Sequence, residues 1–204
     1  MPYSINDFKN KITTGVRPNL FSISIPNIIG VPSLDTLNTF GATDESITIL
    51  CKSAALPSSS QGVAEVPFRG RVLKLPGDRT YDAWTATFYN DANFSIRSLF
   101  EGWINLINKG DANIGQINPN QIFRNIEVNQ LKKSINNSPN AETTTSPTED
   151  ILRRYILNGA FPTSVSAITL GFDQNDQIEE FDVEFQYQYF SITTPGGNNS
   201  KDIY

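Results

Sequence analysis

Two pairs of carboxylates and one cysteine are the groups in this 204-residue chain whose type and spacing could do chemistry. Asp78 and Asp82 flank Arg79 in the stretch GDRTYDAW, and Glu179 adjoins Glu180 in DQNDQIEE. Paired carboxylates cleave glycosidic bonds when one is held protonated and the other ionised. That division needs neighbours that push the two pKa values apart. Neither pair has them in sequence, and such pairs occur in any acidic β protein. The run Asp173 to Glu180 follows a calcium loop for its first ligands, then lacks the fifth ligand and the glycine for the sharp turn. A turn carrying solvated acids is the simpler reading. GRVLKLPG has glycines, but not at the spacing that cradles phosphate, and no lysine ends it.

The chain contains no histidine. That removes Ser-His-Asp and Cys-His catalysis, imidazole proton transfer and most zinc sites. A single cysteine, Cys51, excludes an internal disulfide framework. Beside Ile47, Ile49 and Leu50 it reads as a buried small hydrophobe. The expectation is a protein that is not an enzyme, with no catalytic residue, cofactor or metal.

Charge points to surfaces instead. The net charge of −5 gives no general attraction to nucleic acid or acidic membranes. Asp173, Asp176, Glu179, Glu180, Asp182 and Glu184 gather late in the chain, while Lys52, Arg69, Arg71, Lys74 and Arg79 cluster earlier. Either the late acids form one solvated hairpin, or they make a surface that meets a basic one on a neighbouring copy or keeps a polyanion from adhering. The start shows no signal-peptide core, and nowhere do about 18 apolar residues run together. Synthesis and assembly in a cytoplasm are expected.

The elements that must position these groups are mostly strands. NLFSISIP alternates, with Phe21, Ile23 and Ile25 on one face. SITILCKSAALP reads as a second strand ending at Pro57, and SSSQG as a loop. VAEVPFRGRVLKLPGD reads as an extended piece kinked near Pro67 and Gly70, ending at Pro76-Gly77. In WTATFYN, Trp84, Ala86 and Phe88 form a core face opposite Thr85, Thr87 and Tyr89. The period then changes. Ile96, Leu99, Phe100, Trp103, Ile104 and Ile107 recur at three and four, which predicts one amphipathic α-helix over about 93–109. Asn93, Asn90 or Asp91 could cap it, and Lys109-Gly110 would stop it. Residues 129–150 read as a long mobile loop, and residues 151–173 as two extended stretches around Gly159 and Pro162. Residues 181–190 read as one strand: Phe181, Val183, Phe185, Tyr187 and Tyr189 inward, Asp182, Glu184, Gln186 and Gln188 outward. A turn at DQNDQ makes 165–190 a hairpin, and the tail 191–204 is frayed. The fold class is mainly β: a β-sandwich or partly open barrel of two packed antiparallel sheets carrying one helix. Residues 1–204 read as a single domain.

In this order, RPNLFSISI, CKSAALP, PGDRTYDAWTATFYND, LFEGW and GAFPTSVSAITLGFDQNDQIEEFDVEFQYQYF resemble the tail tube protein family of contractile-tailed bacteriophages. The resemblance spans roughly residues 17–190, and departs from the compact family pattern at 27–45, which looks like an insertion in the first hairpin, and at 129–150, which looks expanded. It implies a structural subunit that forms hexameric rings, stacked into a hollow tube. Strands of adjacent subunits would complete one β-barrel around the lumen. The implied partners are further copies of itself, the tail sheath protein outside, a baseplate tube initiator, the tape-measure protein in the lumen, and DNA passing non-specifically on its way into the host. Two rivals remain: a tube-initiating or capping baseplate protein of the same fold, and a β-sandwich carbohydrate-binding module. The latter needs a platform of exposed Trp or Tyr and is disfavoured because Trp84 and Trp103 both read as lying on core faces.

Within that frame GDRTYDAW reads as a joint. Pro76-Gly77 would make the turn and Asp78 would bond the backbone after it. Arg79 and Asp82 would pair with each other or with a neighbouring subunit, and Tyr81 would pack with a polar tip. Trp84 would enter the core beside the helix. Asp182, Glu184, Gln186 and Gln188 are candidates for a lumen wall that does not bind phosphates.

Overall fold

Alternating segments become strands wherever one face finds the core. The computed structural model describes residues 4–12, 15–26, 44–112, 114–115, 118–132 and 151–193. Its elements, in chain order, are α1 (Ile5–Ile12), β1 (Phe21–Ser24), α2 (Asp44–Leu50), β2 (Cys51–Ala54), β3 (Ser59–Phe68), β4 (Arg71–Tyr81) and β5 (Trp84–Tyr89). Then come α3 (Ser95–Ile107), α4 (Pro119–Ile122), β6 (Arg124–Leu131), β7 (Ile151–Val165), β8 (Glu180–Gln186) and β9 (Tyr189–Thr193). The described chain is mainly β, in two antiparallel sheets, neither closed into a barrel. The larger has the order β1-β6-β7-β8-β5-β2, with β9 also on β7. The smaller is β3 paired with β4.

One bend organises the larger sheet. The first part of β7 pairs with β6 on one side and β9 on the other; residues 161–165 pair with β8. Gly159 sits at the changeover with φ +64°, and a Cβ there would lie 3.0 Å from Cγ of Gln188. An L side chain would meet both a strained backbone and a close neighbour. What reads in sequence as two stretches is therefore one strand turning a corner and serving both halves of the sheet.

The core lies between these halves and α3. Trp84, Ala86 and Phe88 of β5 and Phe181, Val183 and Phe185 of β8 are buried, as are Ile96, Leu99, Phe100 and Trp103 of α3. Phe100 meets Phe185 edge-on at 5.7 Å, and Phe88 lies 5.1 Å from Phe100. The alternation of β5 and the helical period of α3 thus come out as read. None of the expected residues occupies the N-cap position, which is Phe94 in left-handed geometry at φ 54° with no side-chain cap. Asp91, three residues earlier, still serves the first turn, its Oδ1 accepting from Ser95 N (2.9 Å) and its Oδ2 from Ser95 Oγ (2.7 Å). It ends differently from expectation. Asn108 leaves it in extended geometry at φ −149°, and Lys109 bridges to Ile114, without a left-handed glycine at Gly110.

Several expectations are corrected. Residues 46–50 do not start a strand; they belong to α2, with Asp44 and Glu45 at its positive end. Thr48 Oγ1 donates to the Ile23 carbonyl at 2.6 Å, Ile47 is buried, and Ile49 faces solvent. Only Cys51–Ala54 pairs, with β5. Cys51 is half-buried against the core, and burial raises its thiol to about 12. SSSQG is not a loop, because Ser59 to Gly62 lie in β3. Residues 129–131 belong to β6, where Asn129 is buried and its Oδ1 accepts from Arg154 Nε at 3.0 Å. The 165–190 hairpin exists as β7–β8, joined by a wide connection, not a tight turn. The strand expected over 181–190 breaks after Gln186: Gln188 N donates to the Asn158 carbonyl, and Tyr189 is exposed in β9. Ser191–Thr193, expected to fray, complete β9. Among the described residues three shorter helices, α1, α2 and α4, stand beside the one expected. The insertion at 27–45 lies outside the described residues except for Asp44 and Glu45, and so do most of 129–150 and the tail beyond Thr193.

Candidate assembly interface

GDRTYDAW lies at the base of an arm. β3 and β4 run antiparallel from Ser59↔Tyr81 to Phe68↔Arg71, and both faces of the resulting ribbon are exposed. Arg69 (φ 45°) and Gly70 (φ 82°) turn the chain at the tip. Two successive left-handed residues give the hairpin turn whose twist suits paired strands. The kink expected near Pro67 and Gly70 is thus a reversal. Pro76-Gly77 is no turn at all. Gly77 sits inside β4, beside the register shift between Gln61 and Val63. A Cβ on Gly77 would lie 3.0 Å from the carbonyl carbon of Gly62, and one on Gly62 would lie 3.1 Å from the Asp78 oxygen. The glycines let two backbones touch.

The register sorts the arm's side chains. Directly opposed residues share a face. Val63/Pro76, Glu65/Lys74 and Pro67/Val72 make one face, where Lys74 and Glu65 approach to 3.7 Å. Ala64/Leu75, Val66/Leu73 and Phe68/Arg71 make the other. That second face is almost wholly apolar, yet Phe68 is 65% and Leu73 56% exposed. No buried core residue comes from the arm above Tyr81. Sequence reasoning read this segment as extended but missed the face. The signal was present in VAEVPF and RVLKL, whose alternations fall into phase once Arg69-Gly70 is read as a hairpin turn.

Of the residues read as a joint, Tyr81 and Asp82 pack at the base of the arm. Tyr81 is half-buried, 5.9 Å from the Tyr187 ring and 5.7 Å edge-on to Phe190. Tyr187 Oη donates to the Ser58 carbonyl at 3.3 Å, and burial, with Asp82 and Tyr81 nearby, raises its phenol. Asp82 Oδ2 accepts from Ser58 Oγ at 2.9 Å, and within the chain it makes no ion pair with Arg79. Asp78 and Arg79 point out from the ribbon opposite Gly62 and Gln61. Trp84 is buried; its Nε1 donates to the Ala55 carbonyl at 2.6 Å, and it reaches the helix through Phe185, 5.6 Å away. Trp103 is also buried, donating to the Ile122 carbonyl at 2.8 Å. Neither indole offers the exposed platform that a sugar-binding module would need.

A second surface lies on the far side of β5 and β8. Thr85↔Glu184, Thr87↔Asp182 and Tyr89↔Glu180 pair across the strands and face away from the core. Thr87 Oγ1 donates to Asp182 Oδ1 at 2.7 Å, and Ser164 Oγ to Glu184 Oε2 at 3.3 Å. The nearby base, Lys52, donates to Glu180 Oε1 at 2.6 Å, and that hydrogen bond raises its pKa. The result is a hydroxyl and carboxylate wall whose lysine is ion-paired to Glu180. Gln186 continues it on β8, whereas Gln188 leaves it and packs against Gly159. Three of the four residues proposed for one wall therefore share a face. The two carboxylate pairs do not form catalytic dyads: Asp78 and Asp82 occupy different surroundings, and Glu179 accepts from Asn90 Nδ2 while Glu180 binds Lys52. Among the described residues no three His, Cys, Asp or Glu side chains gather to hold a metal, and no helix is long and apolar enough to cross a membrane.

The family model described as phage tail tube protein matches residues 16–193. The tail tube protein gp19 of Enterobacteria phage T4 is 27% identical over 174 residues, covering 85% of this chain and 90% of that protein. The tail tube protein of Serratia phage KSP90 is 26% identical over 141 residues, 69% of this chain and 72% of that one. Among solved structures, a chain of the sheath–tube complex of an extracellular contractile injection system in its extended state superposes with TM-score 0.57 at 16% identity. It covers 91% of this chain and 97% of its own. The tube-terminating cap of the anti-feeding prophage gives 0.55 at 15% identity, covering 88% and 91%.

Proposed function

This chain belongs to the phage tail tube protein family, and from that premise we propose that it is the repeating subunit of the inner tube of a contractile tail. Six copies close a ring, rings stack, and the bore carries the genome into the host. The observation that carries this reading is the β3–β4 arm. A long ribbon with one apolar face, which above Tyr81 buries nothing against the described residues, gains stability by docking on another surface. The sheet edges support it. Among the described residues β2 pairs only with β5, leaving a row of backbone groups for a strand from a neighbour, and β1 pairs only with β6, with Thr48 of α2 taking its Ile23 carbonyl. A ring needs a head-to-tail contact that closes, and a stack needs a second contact that does not. The chain has material for both: edges for one, the arm for the other.

The polar wall of β5 and β8 lines the lumen in this reading. Asp182, Glu184 and Gln186 offer DNA phosphates no cation, and Lys52 is held by Glu180, so the polyanion slides without binding. The sheath packs outside, a baseplate initiator seeds the first ring, and the tape-measure protein occupies the bore during assembly in the host cytoplasm. Asp78, Arg79, Tyr81 and Asp82 form the joint between arm and body, with Arg79 and Asp78 free to meet the next subunit. Electron microscopy of the purified protein at high concentration tests the proposal. Tubes with a central channel are expected. A preparation that stays monomeric, even with a baseplate seed, overturns it, and single rings that never stack would make the chain a tube initiator.

A further inference from the structure

Two features remain unused by that reading, and they fit each other. The first is α1, which lies ahead of the residues matched by the family model. An eight-residue helix is marginal alone in water, but this one carries a reciprocal cap. Asp7 N donates to Ser4 Oγ at 3.3 Å, and Ser4 N donates to Asp7 Oδ2 at 2.7 Å. The bond from Ser4 N, and after it one from Ser4 Oγ to the same Oδ2 at 3.0 Å, hold the Asp7 carboxyl below its usual range. At 100° per residue, Ile5, Phe8 and Ile12 fall on one stripe, with Lys9 and Lys11 on its two borders. No residue of α1 is buried, and Ile5 is 71% exposed. A helix so patterned is built to lay its stripe on something.

The second feature is the connection between β7 and β8. It curves around a cavity of about 890 Å³ lined by Ile168, Leu170, Phe172 and Ile178 together with Gln174 and Gln177, with Glu179 and Glu180, already bound to Asn90 and Lys52, at its end. Leu170, Phe172 and Ile178 are strongly exposed, Phe172 fully so. Asp173 and Asp176 stand on the same connection, which carries no basic residue. A half-apolar hollow edged with acids thus complements an apolar stripe edged with lysines, and none of the described residues covers the stripe or fills the hollow.

We propose that α1 of one copy seats in the hollow of the β7–β8 connection of a neighbouring copy, with Ile5, Phe8 and Ile12 inserted and Lys9 and Lys11 against the acidic rim. The inference rests on the tube-subunit reading, since it needs copies held side by side or ring on ring. It adds a clasp to the arm and the sheet edges, formed by a segment outside the matched family region.

Disulfide trapping in assembled tubes tests it. In a Cys51→Ser background, Phe8→Cys combined with Gln174→Cys should give a ladder of covalent oligomers on mild oxidation, and neither single variant should. Tubes without a ladder, or a crosslink that stays at monomer mass, overturn the clasp and leave the tube reading intact. If the Cys51→Ser parent forms no tubes where the unmodified chain does not either, the tube reading itself fails. Charge reversal gives an independent measure. Lys9→Glu with Lys11→Glu should raise the protein concentration at which tubes appear about tenfold at low salt, and less at high salt. An unchanged threshold at both salt levels contradicts the proposed rim contact.

Discussion

Removing the arm separates folding from assembly. Replacing residues 61–79 by Asn-Gly would join Ser60 to Thr80, already opposite each other with their hydroxyls 2.9 Å apart. Asn-Gly suits the two-residue turn that such a pair requires. The Tyr81–Tyr187–Phe190 cluster and the Ser58–Asp82 bond at the base stay in place. Since the deleted residues supply no buried core side chain, the urea midpoint of the monomer should shift by no more than about 1 kcal/mol equivalent. Assembly should respond very differently. Val66, Phe68, Leu73 and Leu75 are 45%, 65%, 56% and 44% exposed. Fully burying such a side chain contributes about 1.5–3 kcal/mol, so covering the exposed half of four contributes about 3–6 kcal/mol per arm. Ordering of side chains on docking offsets part of this. Even the lower figure corresponds to about a hundredfold in affinity. Sedimentation across a concentration series would read it: the variant should remain small at concentrations where the parent pellets as tubes. Tubes at the parent's threshold would refute the assignment of the arm as an assembly contact. A loss of more than about 2 kcal/mol in monomer stability would show that the body braces the arm, contrary to its burial pattern.

Other outcomes follow from single sites. Gly159→Val should destabilise the monomer by about 2 kcal/mol in urea titrations, because a branched side chain at φ +64° meets Gln188; a neutral result would mean the corner of β7 is not strained. Cys51 should resist alkylation near neutral pH and react quickly once the chain is unfolded, because burial raises its thiol from 9.0 to about 12. The sign follows: folding favours the neutral thiol, so its contribution is complete below pH 9.0 and is lost as pH rises towards about 12, which alkaline unfolding of Cys51→Ser beside the parent would reveal. Asp182→Lys with Gln186→Lys should convert tubes that ignore short single-stranded DNA into tubes that retain it, with retention falling steeply as salt rises; equal retention by both would place this wall away from the bore.

Periodicity carried the parts of the chain that face a shared core. The two-residue repeat of Trp84 to Tyr89 and the helical repeat of Ile96 to Trp103 each name one buried face, and burial enforces both. The absence of histidine likewise bounded the chemistry before any fold was known, because it concerns residue types and not their positions. Tertiary structure decided the rest. Ile47 and Ile49 alternate as a strand would, but a hydrogen bond from Thr48 to the Ile23 carbonyl and the burial of Ile47 alone favour a helix there. Gly77 carries a turn signature that its contact with Gly62 overrides, and residues 181–190 alternate throughout although Gln188 bonds to Asn158 and ends the strand. In each case the deciding partner is distant in the chain. A local pattern states which side of a segment is apolar; only packing states what covers that side, and for the arm and α1 nothing within the described chain does.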